Sequence, residues 1–230
     1  LDPNFAGCMY TLFFSLATAL FLFRKKLAYL VLAGAFFTCI LLTFSRSSYL
    51  ALLTAVLAIG ILKSPKVLMI SLVAFLVLIF AVPQAKTRIE GAFTFDETSK
   101  SRVASWQKAV KIFVGNPVLG VGFNTYRLTQ ERYGYFEGDD SGGHSGAGAD
   151  SSLLFVLATT GIVGFSAYLI LLFAIFSTFI KKIKTNYVSL AGAASFLALV
   201  VHSQFVNSLF YPQIMVGIFF LLGQTVGDES

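Results

Sequence analysis

The chain has 230 residues, of which 57% are hydrophobic, 15% aromatic and only 12% charged. Soluble domains carry roughly 25% charged residues. With 25 phenylalanines and a mean hydropathy of +0.80, the composition excludes a disordered protein, a soluble nucleic-acid binder and a disulfide-stapled secreted module.

A helix that crosses a bilayer needs about 20 mostly apolar residues. In chain order the apolar runs are 5–23, 27–44, 48–62 and 67–82, then, after a long interruption, 152–180, 187–210 and 213–226. The expected fold is an all-α integral membrane protein of about seven transmembrane helices, with one long extracytoplasmic loop containing an amphipathic helix. The third run is short, and the seventh follows Pro212 closely. Cys8 and Cys39 both fall within apolar runs and read as buried thiols, with no metal-ligand spacing.

Positive charge sets the orientation of short membrane loops. Three connections are basic and contain no acid: Arg24-Lys25-Lys26, the stretch from Lys63 to Lys66, and the stretch from Lys181 to Lys184. Seven spans put all three on one side, the inside. The formal charge of +6 is thereby read as topology, and no nucleic-acid partner is expected. The chain divides into four spans over 1–82, an outer segment over 83–151, and two or three spans with a short tail over 152–230. The outer segment holds eight of the 11 acids beside a similar number of bases, and it is too long to be a plain connector.

Within that segment, residues 101–114 read as a helix with Val103, Trp106, Val110 and Phe113 on one stripe and Arg102, Lys108 and Lys111 off it. Such a helix suits a membrane interface, or equally a helix packed on the spans with a solvated basic face. Residues 115–126 form a turn-rich connection, and 138–148 is glycine-rich.

Arg46 lies in the tight outer turn Ser45-Arg-Ser-Ser-Tyr49. A charge that close to hydrocarbon is costly unless it is paired or faces water, and its planar fork suits phosphate oxygens. The bland reading is an arginine snorkelling at a helix end. Arg102, beside Trp106, and Arg88 are further anion-binding candidates. His144 and Asp150, just before the fifth apolar run, are candidate general bases toward a hydroxyl. Asp150 also reads as a helix N-cap ahead of Ser151 and Ser152. His202, Gln204 and Asn207 read as a polar patch in the sixth run, either hydrogen-bonding between helices or touching substrate, the first favoured.

Several of these pieces, in this order, resemble the C-terminal portion of the O-antigen ligase / O-antigen polymerase family of bacterial membrane glycosyltransferases. They are Asp2-Pro-Asn-Phe-Ala6, Ser45-Arg-Ser-Ser-Tyr-Leu50, Ser101-Arg-Val-Ala-Ser-Trp106, Asn116-Pro-Val-Leu-Gly-Val-Gly-Phe-Asn124, Asp150-Ser-Ser-Leu-Leu154 and Thr160-Gly-Ile-Val-Gly164. The resemblance implies transfer of a glycan from an undecaprenyl-diphosphate-linked donor to a lipid, glycan or protein acceptor. The site would be the outer face of the bacterial cytoplasmic (inner) membrane, among membrane lipids, with an inverting mechanism that uses neither metal nor cofactor. Arg46 and Arg102 match the family positions expected to engage the diphosphate. Many members place His-Asn before the fifth span, and aligning on Gly161 puts Asp150 in that histidine slot, six residues after His144. Family members usually have more spans, so the chain is expected to be a fragment lacking N-terminal ones. The competing function is a transporter or flippase for a polyprenyl-linked or anionic substrate. That reading requires ionisable groups and broken helices near the bilayer midplane. A non-catalytic scaffold would instead tolerate substitution throughout the outer segment.

Overall fold

The computed structural model describes residues 2–94, 96–136 and 148–227, and all regular structure among them is helical. The helices are α1 (Pro3–Arg24), α2 (Leu27–Leu42), α3 (Arg46–Leu62), α4 (Pro65–Ala81), α5 (Pro83–Phe93), α6 (Glu97–Gly115), α7 (Tyr126–Arg132), α8 (Ser152–Ile180), α9 (Tyr187–His202) and α10 (Pro212–Gly227). Cys8 is buried, Cys39 is partly exposed, and both are free thiols. Two of the helices, α1 and α8, are long and apolar enough to cross a membrane, and five shorter apolar helices accompany them. At 1.5 Å per residue, the 16 residues of α2 span only about 24 Å of a roughly 30 Å hydrocarbon layer. Length alone therefore supports two of the seven expected spans. In α8 only 17% of the most apolar window is buried, and Ile170 and Phe173 lie exposed on it. An outward face of this kind is suited to lipid.

The chain forms two compact units. The first comprises residues 1–94, 174–202 and 211–230. Its centre is the packing of α1 on α2 and of α3 on α9. Ala51 and Ala55 of α3 are fully buried with Ala198 of α9, and Ala58 and Ile59 pack with Leu190, Ala191 and Ala194. Small side chains let two backbones approach closely, which is how helices gain dispersion energy where there is no hydrophobic drive. Gly192 extends this logic, because a Cβ there would lie 2.1 Å from the ring of Phe179.

The second unit comprises residues 95–173 and 203–210. Ala109, Ile112, Tyr126, Ala149, Phe155 and Ala158 form its core. Its organising feature is a break in α8 at Gly161, whose φ of 63° and ψ of −169° are not helical. A continuous helix would bond Ile162 N–H to Ala158 C=O and Val163 N–H to Thr159 C=O. Here Ile162 and Val163 donate instead to Pro117 C=O (2.9 Å) and Val118 C=O (3.4 Å). Ala158 and Thr159 C=O accept from Val121 N–H (3.1 Å) and Gly122 N–H (2.8 Å). The segment Pro117–Gly122 thus replaces both missing helical bonds, and no backbone group among these is orphaned. The contact is too close for side chains. A Cβ on Gly161 would meet Val118 O at 2.2 Å, and one on Gly120, itself at φ 67°, would meet Thr159 C at 2.4 Å.

Candidate functional site

The candidate residues are distributed over both units. In the first, Arg46 is the opening residue of α3, not part of a loop, and Ser45 is the N-cap, accepting from Ser48 N–H at 3.3 Å. The preceding turn is tight, with Phe44 in the left-handed region at φ 51°. Asn4 holds this corner: its Oδ1 accepts from Ser45 Oγ (2.7 Å) and Ser47 Oγ (2.9 Å). Asn4 is set in turn by Asp2, which caps α1 and accepts from the Asn4 backbone N–H at 3.0 Å. Gly7 completes the fit, because any Cβ there would collide with the Ser48 side chain. Two distant sequence pieces, Asp2-Pro-Asn4 and Ser45-Arg-Ser-Ser48, are therefore one local structure that fixes where α3 begins. Arg46 is half-buried at the positive end of that helix, where an anion gains from both the guanidinium and the dipole. Arg88, exposed on α5, belongs to the same unit.

The second unit brings Arg102 and Asp150 together. Helix α6 begins at Glu97, earlier than the apolar spacing suggests, because Asp96 caps it by accepting from Ser99 N–H at 3.0 Å. The inward face also differs from the predicted stripe. Ala109 and Ile112 are buried while Val110 is 42% exposed, so the helix is rotated to present Arg102, Ser105, Ala109 and Ile112 inward, with Trp106 at the edge of that face. The small residues at 105 and 109 admit the strand of chain before α8. Ser105 Oγ accepts from Asp150 N–H at 3.0 Å, and Trp106 Nε1 donates to Asp150 C=O at 3.1 Å. The Trp106 ring packs on Phe205 (5.9 Å between centroids), and the Arg102 guanidinium lies 6.0 Å from the centre of the same ring. The amphipathic helix is thus packed on its own unit.

Asp150 is not the cap of α8, contrary to expectation. Ser151 takes that place, accepting from Leu154 N–H at 3.3 Å. The neighbouring Ser152 is tied on the opposite side, donating its N–H to Ser203 C=O (2.8 Å) and accepting through Oγ from Leu209 N–H (3.2 Å). Main-chain bonds therefore hold residues 150–152 from two directions, and the Asp150 carboxyl has no capping duty. Burial raises the proton affinity of that carboxyl above the ordinary carboxylate range, and the charge of Arg102 acts in the opposite sense. Tyr126, fully buried beside this site, has its phenol pushed up by burial first and then by the charge of Asp150.

The polar patch expected on one helix is divided. Helix α9 ends at His202, while Gln204 and Asn207 fall in the irregular stretch after it, and Gln204 Nε2 donates to Ser203 Oγ at 3.2 Å. His144 and most of the glycine-rich stretch 138–148 lie outside the described residues. Sequence reasoning missed Ser105, Phe205 and Tyr126. The available signal was the pair of small residues Ser105 and Ala109 at helical spacing, which marks a close approach. Among the described residues no three His, Cys, Asp or Glu side chains converge as metal ligands.

A search of curated proteins gives no match to this chain. A family model described as O-antigen ligase matches residues 11–169, well over half of its length and a range containing Arg46, Arg88, Arg102 and Asp150. Membership implies an enzyme of the O-antigen ligase or polymerase kind, membrane-bound and engaged in polysaccharide assembly. The break in α8 and the clasp that fills it fall within the matched residues, as do Arg102 and Asp150. On these grounds the chain belongs to the O-antigen ligase family.

Proposed function

We propose that the protein moves a saccharide from a lipid-linked diphosphate, such as undecaprenyl diphosphate, to an acceptor hydroxyl at the outer face of the bacterial cytoplasmic membrane. The observation that carries this reading is the half-buried Asp150, held by its backbone beside Arg102, in a chain of this family. In the proposed step the Asp150 carboxylate takes the proton of the acceptor hydroxyl. The acceptor oxygen then attacks the anomeric carbon from the face opposite the diphosphate. The bond from that carbon to the diphosphate oxygen breaks, and the diphosphate leaves with the electron pair. Arg102 and Arg46 neutralise the charge that develops on it, with Arg88 as a further anion contact. Electrostatic stabilisation of a leaving group by fixed donors is commonly worth a factor of about 10²–10³ per group. His144 is the alternative base, and it comes from the residues just upstream.

Among the described residues, the break in α8 is a feature that would favour a transporter, beside the ionisable His202, since such proteins bind substrates at interrupted helices. Here Pro117–Gly122 consumes the backbone donors and acceptors that a transported ion would need, so transfer is the better reading. The test is incorporation of labelled lipid-linked glycan into acceptor by the protein in membranes. Arg46→Ala and Asp150→Asn are each expected to lower the rate on the order of 10²-fold or more. Wild-type rates in both variants would overturn the proposal. Deleting the gene separates the two branches of the reaction: single repeat units accumulate if polymerisation is lost, and long lipid-linked chains accumulate if ligation is lost.

A further inference from the structure

A cavity of about 310 Å³ opens in the second unit, bounded by Phe123, Tyr126, Phe155 and Phe210 together with Asn124 and Arg127. We propose that it is a saccharide subsite that seats one neutral sugar ring of a glycan. For the identity of its ligand the proposal rests on the glycosyl-transfer reading above. The cavity is at the small end of ligand pockets, which run roughly from 300 to 1,000 Å³, and that suits one ring and not a chain of rings. Its wall is an aromatic cluster: Phe123 lies 5.3 Å from Phe155 and 5.4 Å from Phe210, and Tyr126 lies 5.2 Å from Phe155. Tyr126 and Phe155 are buried and rigid, while Phe123 is 54% exposed and offers its ring to a ligand. The C–H face of a sugar ring is apolar and slightly positive, and it matches the negative face of an aromatic ring.

The rest of the lining supplies what hydroxyl groups need. A hydroxyl both donates and accepts, and a carboxamide does the same, so Asn124 and Asn207 can each engage a sugar edge, with Arg127 donating beside them. Asn207 carries a buried Oδ1 with no hydrogen-bond partner among the described residues. Gly148 leaves room for the amide, because a Cβ there would stand 2.9 Å from Asn207 Nδ2. A hydrocarbon chain would leave these polar groups unmatched. Asp150, Arg46, Arg88 and Arg102 are not among the residues that line the cavity, so it is a place for binding and not for breaking the bond.

The test uses the full chain in lipid nanodiscs. The probe is the free saccharide repeat unit, released from the organism's own surface polysaccharide, observed by saturation-transfer NMR. Saturable transfer to ring protons is expected. Phe123→Ala should weaken binding about tenfold, the loss expected of one stacking face, and Asn124→Ala and Arg127→Ala should weaken it severalfold. The last two residues are exposed, so they decide the question if Phe123→Ala fails to fold. Lys111→Ala, on an exposed position of α6, should leave binding unchanged. Absence of saturable binding to the wild type, equal binding by all variants, or displacement of the saccharide by phosphate-free farnesol would each overturn the subsite. Transfer that persists without saturable binding removes the subsite alone. Binding that persists in a protein with no transfer activity removes the reaction alone.

Discussion

Burial makes Asp150 a stronger base than an exposed carboxylate, and the same burial acts against folding. Its pKa in the folded chain is raised above the ordinary value of 3.8, so the folded state binds that proton more tightly than the unfolded state does. The linked stability is fully present below the unfolded pKa and is lost as pH rises through the folded one. Asp150→Asn is therefore expected to lower transfer on the order of 10²-fold or more while leaving the unfolding temperature at pH 7 unchanged or higher, as read by thermal melts in detergent. Transfer by the wild-type protein should decline on the acid side as Asp150 becomes protonated, at a higher pH than for an exposed carboxylate. Arg102 opposes the rise, so Arg102→Gln should move that acid limb to still higher pH. An acid limb that does not respond to Arg102→Gln would point to His144 as the base. At this scale the sequence offers Arg102 and Asp150 as candidates but not their partners. Trp106 and Ser105 hold the backbone of Asp150 from some 45 positions away in sequence, and no local rule of spacing expresses such a pairing.

Among the elements, the clasp between Pro117–Gly122 and the break in α8 has the sharpest requirements. Both Gly120 and Gly161 have positive φ, and in both a side chain would run into backbone that cannot move aside. Gly161→Ala and Gly120→Ala should each cost roughly 1–3 kcal/mol for the backbone conformation alone, plus the clash. The expected result is a lower unfolding temperature and a protein more easily cleaved by protease around residue 120. In the first unit, Gly192→Ala forces a methyl into the ring of Phe179, and overpacking of that kind costs about 1–3 kcal/mol. The turn-rich character of 115–126 was legible from its glycines and proline. Its purpose was not, because the hydrogen bonds it replaces are missing from a helix about forty residues further on. The rotation of α6 has a similar origin. Periodicity finds a stripe of large apolar residues, whereas this helix is positioned by small ones that allow the chain before α8 to come close.

For the molecule as a whole, we propose that the surplus of basic residues in three short connections sets the orientation of the chain. On the proposed topology the three basic connections are cytoplasmic, so activity reporters fused after Lys66 or Lys182 should be active only as cytoplasmic reporters. Fusions after Thr94 or Glu131 should be active only outside the membrane. A reporter at Lys66 that is active outside would reverse the assignment. The helical class, the apolar surface and the family were all available in the order of residues, because composition and short motifs are local properties. The limits of the helices were read less well: α3 begins at Arg46 under the Ser45 cap and α6 at Glu97 under the Asp96 cap, both ahead of the expected starts at 48 and 101. What the tertiary structure alone decided was which pieces become neighbours: Asn4 with the Ser45–Ser48 corner, Pro117–Gly122 with the interrupted α8, and Asp150 with Arg102 and Trp106. The clasp on α8 runs through backbone groups, which every residue carries alike, while the other two run through the side chains of Asn4, Ser105 and Trp106. All of them join segments about forty residues apart, a distance over which no local rule of spacing acts.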